Sequence, residues 1–509
     1  MKRRATPRAL LASPSGYTLA FFAIFVVGLV LRLYALGSES LWWDEVYAIS
    51  EMAHPGPLEI VRLSSTDNNP PLLYLILHYW ILLAGSSEFS VRLPSALAGA
   101  LAVLVIYRIG TLLFDRGAGL LAALILALSA YHVRYAQEAR AYGLMVFLTL
   151  LSFYFFLRLT KGGVSRYSSV GYIISTALLM YTHIYGVFLV ASQIIYLLVS
   201  REDLRRWIVP AGALSLLYIP WVVLLAITVL SPEGAWQSGT TWIPDPTLAD
   251  VIQILWAYSG SIPLTIVFTL LAGYGTVRTI RRQRPAAYLL LAWLLVPIVV
   301  PFLISHLYRP MLADRFTIAA SPAFYLLVTQ GFAGLKGFAY RERSYAPVLV
   351  LGVVTALFVL SITGYYSDIT KQPWRGVAGY VDEHARAGDV VVFYWAGGLL
   401  PFDYYSERPH IEREPFVVGN NAGIWKTTTN AVSGHDRVWL VMVWESGRAK
   451  KVLPRRLTRL YGEATYNEVY AVTDTYNSEV ATVPYQGDGV DLLLFEGLRT
   501  NHKRGHGGV

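Results

Sequence analysis

Two carboxylates stand side by side at Asp44 and Glu45, inside the stretch SLWWDEVYAI at residues 40–49. They follow an apolar run and sit between Trp43 and Val46–Tyr47. The plainest role for such a pair is to cap a surface helix, because acids favour helix N-termini. The flanking Leu-Trp-Trp favours another role: tryptophan settles at membrane–water boundaries and draws water away from its neighbours. Desolvation raises a carboxylate's pKa and makes it a better base. A second polar group lies in YHVRYAQEARAYG, residues 131–143, where Arg134, Gln137, Glu138 and Arg140 fall between two apolar runs. His183 in YTHIYG (181–186) and Arg309, Asp314 and Arg315 in SHLYRPMLADRF (305–316) complete the set. Each has a bland reading beside the functional one: Glu138 pairs with a neighbouring Arg, His183 is an interfacial ring, and Arg315 snorkels to headgroups. Arginine's planar fork nevertheless suits phosphate. If these groups converge, the arginines hold the phosphate of a lipid-linked donor and an acid takes the proton of an incoming hydroxyl. That hydroxyl then attacks the sugar's anomeric carbon. A lipid phosphate leaving group needs charge stabilisation more than protonation. The candidate sets are therefore Asp44 and Glu45 for catalysis and Arg140, Arg315, Arg134 and Arg309 for phosphate. Glu138, Gln137, His183, Tyr47 and Trp43 are the candidates for substrate contact.

The elements that must position these groups are membrane helices. The chain has 509 residues, 55% hydrophobic and 15% charged, with a mean hydropathy of +0.46. Soluble domains carry about 25% charged residues. Apolar runs recur from 17 to 364, and eleven candidate spans follow: 17–36, 93–113, 117–132, 141–159, 168–182, 185–200, 207–230, 261–277, 286–304, 315–334 and 345–364. The run PPLLYLILHYWILL (70–83) is too short for a span and reads as an interfacial or re-entrant helix, with Asp67, Asn68 and Asn69 as its caps. On that basis the loops of one side hold 18 Lys and Arg and those of the other side only 6, which makes the first side cytoplasmic. The formal charge of +9 thus reports membrane topology rather than nucleic-acid binding. The N-terminal MKRRATPR with 17–36 reads as a retained first helix rather than a cleaved signal, because no small-residue cleavage site follows. The loops 38–92 and 231–260 and the tail then face outward.

The tail changes character. Val377, Tyr380, Val381 and Ala385 are spaced as a helix, and DVVVFYW (389–395), RVWLVMVW (437–444) and VDLLLFEG (490–497) read as strands. Two domains are expected: a transmembrane domain at 1–364 and an extracytoplasmic α/β domain at 365–509, whose last ten residues look frayed. With no cysteine there is no disulfide and no thiolate metal site. No GxGxxG, P-loop or HExxH pattern occurs, so nucleotide and zinc-protease readings lack support.

The order of motifs resembles a known family. An acid pair in the first loop, NNPPLLY at 68–74, RLPSALAGAL at 92–101 and YAQEARAYGL at 135–144 are similar to the GT-C membrane glycosyltransferases. The likeness is to the family 39 type, which includes protein O-mannosyltransferases and lipid A aminoarabinose transferases. QPWRGVAGYVDEHARAGDVVVF (372–393) resembles the start of the outer domain in bacterial members. The resemblance implies a polytopic α-helical GT-C fold of about eleven transmembrane helices, with interfacial helices in the first loop and a small soluble α/β domain. It implies inverting transfer of a sugar from a polyprenyl phosphate at the outer face of the cytoplasmic membrane. In its terms Asp44 is the base or acceptor-binding acid with Glu45 beside it, Glu138 is the second acid, and Arg140 and Arg315 hold the donor phosphate. The resemblance implies that no cofactor is required. Related oligosaccharyltransferases bind a divalent metal at similar acids, which leaves Asp44 and Glu138 as ligands should one take part. Partners are the lipid-linked donor, membrane lipids and a glycan, lipid or protein acceptor. Asn68–Asn69 stand before a Pro pair where aminoarabinose transferases have an acid and a lysine before one Pro. No large sugar-binding loop domain of the eukaryotic type is recognisable, and both departures leave the acceptor open. The rival classes are a lipid-linked sugar transporter or flippase and a non-catalytic glycolipid-binding subunit. Transporters commonly show inverted repeats and helices broken near the midplane, and neither is visible in this sequence.

Overall fold

A computed structural model of the chain describes residues 14–67, 69–162, 165–231, 243–342, 345–367, 371–393, 396–409, 411–415, 432, 434–443, 457, 466–470 and 490–496. The apolar runs become helices α1 (Pro14–Leu33), α2 (Trp43–Val46), α3 (Pro57–Thr66), α4 (Leu72–Ala84), α5 (Glu88–Leu113), α6 (Arg116–Leu128) and α7 (Ala130–Ala136). They continue as α8 (Tyr142–Gly162), α9 (Arg166–Met180), α10 (Gly186–Val199), α11 (Ile208–Leu230), α12 (Leu248–Ser259), α13 (Ile262–Arg282), α14 (Arg284–Leu307), α15 (Ser321–Glu342) and α16 (Ala346–Ser367). Two compact units result: Met1–Leu36 with Met52–Tyr365, and Gly37–Glu51 with Tyr366–Val509.

The first unit is a multi-pass membrane bundle. Among the described residues, 8 helices are long and apolar enough to cross a membrane, or 9 if α6 and α7, bent by 61°, make one span. The remaining two of the eleven expected spans, 168–182 and 185–200, form α9 and α10, of only 15 and 14 residues. At about 1.5 Å per residue each reaches little more than about 20 Å, short of a hydrocarbon core of about 30 Å. Helix α4 is short, as expected, but its capping differs from expectation. Pro71 occupies the N-cap with no side-chain bond, and the Leu72 N–H is taken by the Tyr181 carbonyl at 3.0 Å. Asp67 instead accepts the Tyr74 hydroxyl at 2.8 Å and the Asn69 amide at 3.3 Å, whereas Asn68 lies outside the described residues.

The break between α6 and α7 is chemically supported. Ser129 caps α7 through the His132 N–H, and the Arg32 guanidinium donates to the carbonyls of Leu126 and Ala127 at 3.0 and 3.3 Å. A carbonyl freed from its helix inside an apolar bundle has no water to turn to, so a buried arginine there satisfies the backbone. Helices α13 and α15 approach closely where Gly275 faces Leu327 and Gly331 faces Leu271. Phe153 and Trp293 stack at 3.8 Å within the same core.

The second unit contains a five-stranded sheet, ordered β2-β1-β3-β5-β4. Its strands are β1 (Val390–Phe393), β2 (Glu412–Pro415), β3 (Arg437–Val443), β4 (Tyr466–Tyr470) and β5 (Val490–Glu496). β1 pairs parallel with β2 and β3, while β5 runs antiparallel to β3 and β4. The three strands read from sequence are β1, β3 and β5; residues 394, 395, 444 and 497 of those runs, and the last ten residues, lie outside the described set. β2 and β4 escape sequence reading because they are the edges. Edge strands are short and charged, and tolerate a proline such as Pro415. Helices α17 (Trp374–His384) and α18 (Leu399–Tyr405) cover one face of the sheet through Trp374, Val377, Val381 and Phe402. Val438, Leu440 and Phe495 form a second apolar layer on the other face with Val432 and Leu457. Burial on both faces is why these strands read as continuous apolar runs rather than alternating ones.

Candidate functional site

In the membrane unit the polar candidates from three separate stretches lie at helix ends joined by turns. Helix α7 carries Arg134, whose guanidinium carbon lies 5.8 Å from the Tyr135 ring, with Glu138 and Asp314 in electrostatic reach. The turn 137–141 then carries Gln137, Glu138 and Arg140 into α8. That turn is pinned from below: Ser95 Oγ donates to the Arg140 carbonyl at 2.9 Å. Gly143 permits the close approach, since a Cβ there would stand 2.7 Å from the Ser95 carbonyl oxygen. Gln137 is buried with both ends of its amide engaged. Nε2 donates to the carbonyls of Leu31, Arg32 and Tyr34, and Oε1 accepts the Tyr365 hydroxyl. Glu138 is buried beside it, and Arg140 is half-buried.

Arg315 opens a 3₁₀ segment, Asp314–Ala320, preceded by an irregular stretch from Tyr308. Aromatic donors hold this backbone. Tyr131 donates to the Asp314 carbonyl, Tyr185 to that of Met311, Tyr258 to that of Thr317, and Trp293 Nε1 to that of Ala319, all at 2.6–2.9 Å. A segment outside the α-helical pattern inside an apolar bundle needs such donors, because water does not supply them. The Asp314 carboxylate is turned onto the Arg315 N–H at 2.6 Å. Arg315 lies 5.7 Å from the Phe316 ring, and Arg309 lies 5.8 Å from the Tyr308 ring.

His183 ties these stretches together. It is 2% exposed, in the turn between α9 and α10, with Phe316 at 5.0 Å and Tyr142 at 6.2 Å between ring centroids. Its Nδ1 accepts the Tyr185 N–H at 3.2 Å, which leaves the proton on Nε2. Burial lowers its pKa, and the positive charges of Arg140 and Arg315 lower it further, to about 3. The imidazole is therefore neutral at ordinary pH and stands in a field made by two guanidinium groups. Arg140, His183 and Arg315, from three distant parts of the chain, thus act on one locality.

In the second unit, helix α2 carries the acid pair. Asp44 is 9% exposed and Glu45 is fully buried. Trp43 and Tyr47 stack at 5.3 Å, one turn apart, at the entry to a π-helical turn, Tyr47–Met52. Glu45 accepts the Trp42 N–H and forms an ion pair with Lys371 at 3.3 Å. Sequence reasoning missed Lys371. It lies immediately before the QPWRGV motif, and that adjacency was the one available signal. Among the described residues no three His, Asp or Glu gather as a metal site.

Residues 68–236 match the family model described as dolichyl-phosphate-mannose-protein mannosyltransferase, about a third of the chain. YycA of Bacillus subtilis (strain 168), which carries a provisional mannosyltransferase name, is 25% identical over 201 residues. Those residues are 38% of this chain and 28% of YycA, so the match spans well under half of that relative. ArnT from Cupriavidus metallidurans, in its structure bound to undecaprenyl phosphate, superposes with a TM-score of 0.55 at 14% identity, covering 94% of this chain and 98% of ArnT. The Archaeoglobus fulgidus oligosaccharyltransferase, in complex with Zn and sulfate, gives a TM-score of 0.55 at 12% identity, covering 89% of this chain and 72% of the other. The chain has the GT-C fold.

Proposed function

We propose that this protein is a GT-C glycosyltransferase that moves a sugar, with inversion, from a polyprenyl-phosphate donor to an acceptor hydroxyl. The reaction takes place at the outer face of the cytoplasmic membrane, the side poor in Lys and Arg. The observation that carries the reading is a buried His183 whose ring meets Tyr142 and Phe316, close in sequence to Arg140 and Arg315, and whose imidazole is kept neutral by burial and by both of their charges. Two guanidinium groups and a ring N–H among apolar helices suit an anion whose tail stays in lipid. The fold it shares with ArnT, whose structure binds undecaprenyl phosphate, supports the same donor class.

In the proposed step the acceptor O–H gives its proton to Asp44, and its oxygen forms a bond to the anomeric carbon. The bond from that carbon to the phosphate oxygen breaks, and polyprenyl phosphate leaves with its new charge held by Arg140 and Arg315. Glu138 and His183 orient the donor, and Trp43 and Tyr47 offer aromatic surface to a sugar.

The test incubates purified protein with a panel of polyprenyl-phosphate sugars, with and without chelator, and identifies the consumed donor and the released lipid phosphate by mass. Consumption of one donor is expected, and the chelator arm decides whether a divalent ion takes part. Wild-type protein that consumes none of the panel, and instead moves intact donor between leaflets of a vesicle, overturns the proposal.

A further inference from the structure

Within the acid pair at 44 and 45, Glu45 is committed to a buried contact. Glu45 has no exposed surface, and both of its oxygens face the Lys371 ammonium, at 3.3 and 3.4 Å. One of them also accepts the Trp42 N–H at 3.3 Å, reaching back to the start of α2 as a helix-capping acid does. Lys371 is itself only 7% exposed. A buried carboxylate held in this way is committed to a structural contact.

Two further bonds fasten the same stretch. The Leu41 N–H donates to the Tyr405 hydroxyl at 2.7 Å, and the Arg375 N–H donates to Ser40 Oγ at 3.2 Å. The Arg375 guanidinium carbon lies 6.0 Å from the Tyr405 ring, so these two anchors stand side by side. Residues 40, 41 and 45 are thus held by 371, 375 and 405, more than 300 positions along the chain. By its contacts Gly37–Glu51 belongs to the same compact unit as Tyr366–Val509.

We propose that Lys371 is a positioning residue for the transfer reaction. Through its buried ion pair with Glu45 it fixes the turn that presents Asp44, so the C-terminal unit is a working part of the acid's mount rather than an appendage. The inference rests on the role proposed above for Asp44. It assigns the two acids different tasks, Asp44 to the proton and Glu45 to the scaffold.

The experiment measures kcat and donor KM for Lys371→Met, Glu45→Gln and the double variant, using the donor that wild-type protein consumes. Gel filtration and thermal midpoint report whether each variant folds. A misplaced catalytic group loses about 100-fold in rate. Lys371→Met is expected to lower kcat about that much while donor KM stays within about twofold, since the phosphate-binding arginines are untouched. Removing one partner strands a buried charge and removing both does not. The double variant is therefore expected to recover kcat to within about tenfold of wild type. If Lys371→Met does not fold, the reversed pair Glu45→Lys/Lys371→Glu takes its place, with activity expected from the reversed pair and not from either reversal alone. A Lys371→Met kcat within twofold of wild type, or losses that simply multiply in the double variant, overturns the inference. If Asp44→Asn is inactive while Lys371→Met is normal, only the inference fails. Wild-type protein that consumes no donor removes the function itself.

Discussion

The Gln137 amide oxygen accepts the Tyr365 hydroxyl at 2.7 Å, across 228 residues of sequence. The same amide's nitrogen donates to the Tyr34 carbonyl, also at 2.7 Å. One side chain thereby ties the turn bearing Glu138 and Arg140 to the ends of α1 and α16. Tyr365→Phe leaves the amide oxygen without this donor, and a buried polar group deprived of a partner costs about 1–3 kcal/mol. Gln137→Glu is worse, because it turns an acceptor toward the carbonyls of Leu31, Arg32 and Tyr34. Thermal midpoints of the purified variants check the order: wild type highest, then Tyr365→Phe, then Gln137→Glu. Equal midpoints for all three would contradict the bracing role.

The crossing of α13 and α15 gives a sharper packing prediction. A Cβ on Gly275 would stand 2.0 Å from the Leu327 carbonyl oxygen, and one on Gly331 would stand 2.1 Å from that of Leu271. Both obstacles are backbone, so neither swings away. Overpacking costs about 1–3 kcal/mol where side chains give way, and more where they do not. In lipid, small residues at such contacts are what let helices associate. Gly275→Ala and Gly331→Ala are expected to cut the yield of folded protein severely, whereas Gly273→Ala, with no atom within 4 Å of its added Cβ, is expected to behave as wild type. Fluorescence-detected gel filtration of the three variants makes the comparison.

His183 predicts a pH dependence. Burial and the charges of Arg140 and Arg315 hold the folded imidazole at about 3, whereas an unfolded histidine titrates near about 6.5. Between those values the unfolded chain binds a proton that the folded chain refuses. The stability from this group is therefore complete above about pH 6.5 and declines as pH falls toward the folded value, by about 1.4 kcal/mol per unit. His183→Asn keeps an acceptor for the Tyr185 N–H and removes the titration. Thermal midpoints from pH 7.5 to 5 are expected to fall more steeply for wild type than for His183→Asn. Parallel curves would mean that the imidazole takes up its proton without unfolding.

How far the sequence carried the reading follows from what each feature depends on. Long apolar runs declare helices because burial in lipid demands them, and every expected run becomes helical; 117–132 breaks at Ser129 into α6 and α7, 315–334 begins as a 3₁₀ segment, and α9 and α10 have only 15 and 14 residues. The central strands β1 and β3 were legible because both faces are buried, and the edges β2 and β4 were not, because exposure removes the apolar signal. At the site, arginines at helix ends were conspicuous against an apolar background. Gln137 looked like a substrate contact, but an amide shows the same donors and acceptors to a sugar as to a carbonyl, and here it engages three backbone carbonyls and the Tyr365 hydroxyl. Lys371 was missed for a different reason: apart from its place beside the QPWRGV motif, pairing across 326 positions leaves no pattern to read.

Arg315 and Arg140 separate binding from chemistry. Lysine keeps the charge but replaces a rigid fork of donors with one compact ammonium. If these arginines grip the donor phosphate through that fork, Arg315→Lys is expected to raise donor KM about tenfold, the worth of one charge-assisted hydrogen bond. Arg140→Lys is expected to do the same, and the double variant to do worse than either. Because phosphate is held both before and during bond breaking, kcat falls less than affinity. Asp44→Asn is expected to behave in the opposite sense: donor binding is retained, and kcat falls about 100-fold or more because the hydroxyl proton has no acceptor. Binding of polyprenyl phosphate alone, followed by quenching of intrinsic tryptophan fluorescence, completes the comparison, since that ligand asks nothing of Asp44. Loss of polyprenyl-phosphate binding in Asp44→Asn, or unchanged donor KM in both lysine variants, would move the phosphate away from the arginines and reassign them to scaffolding.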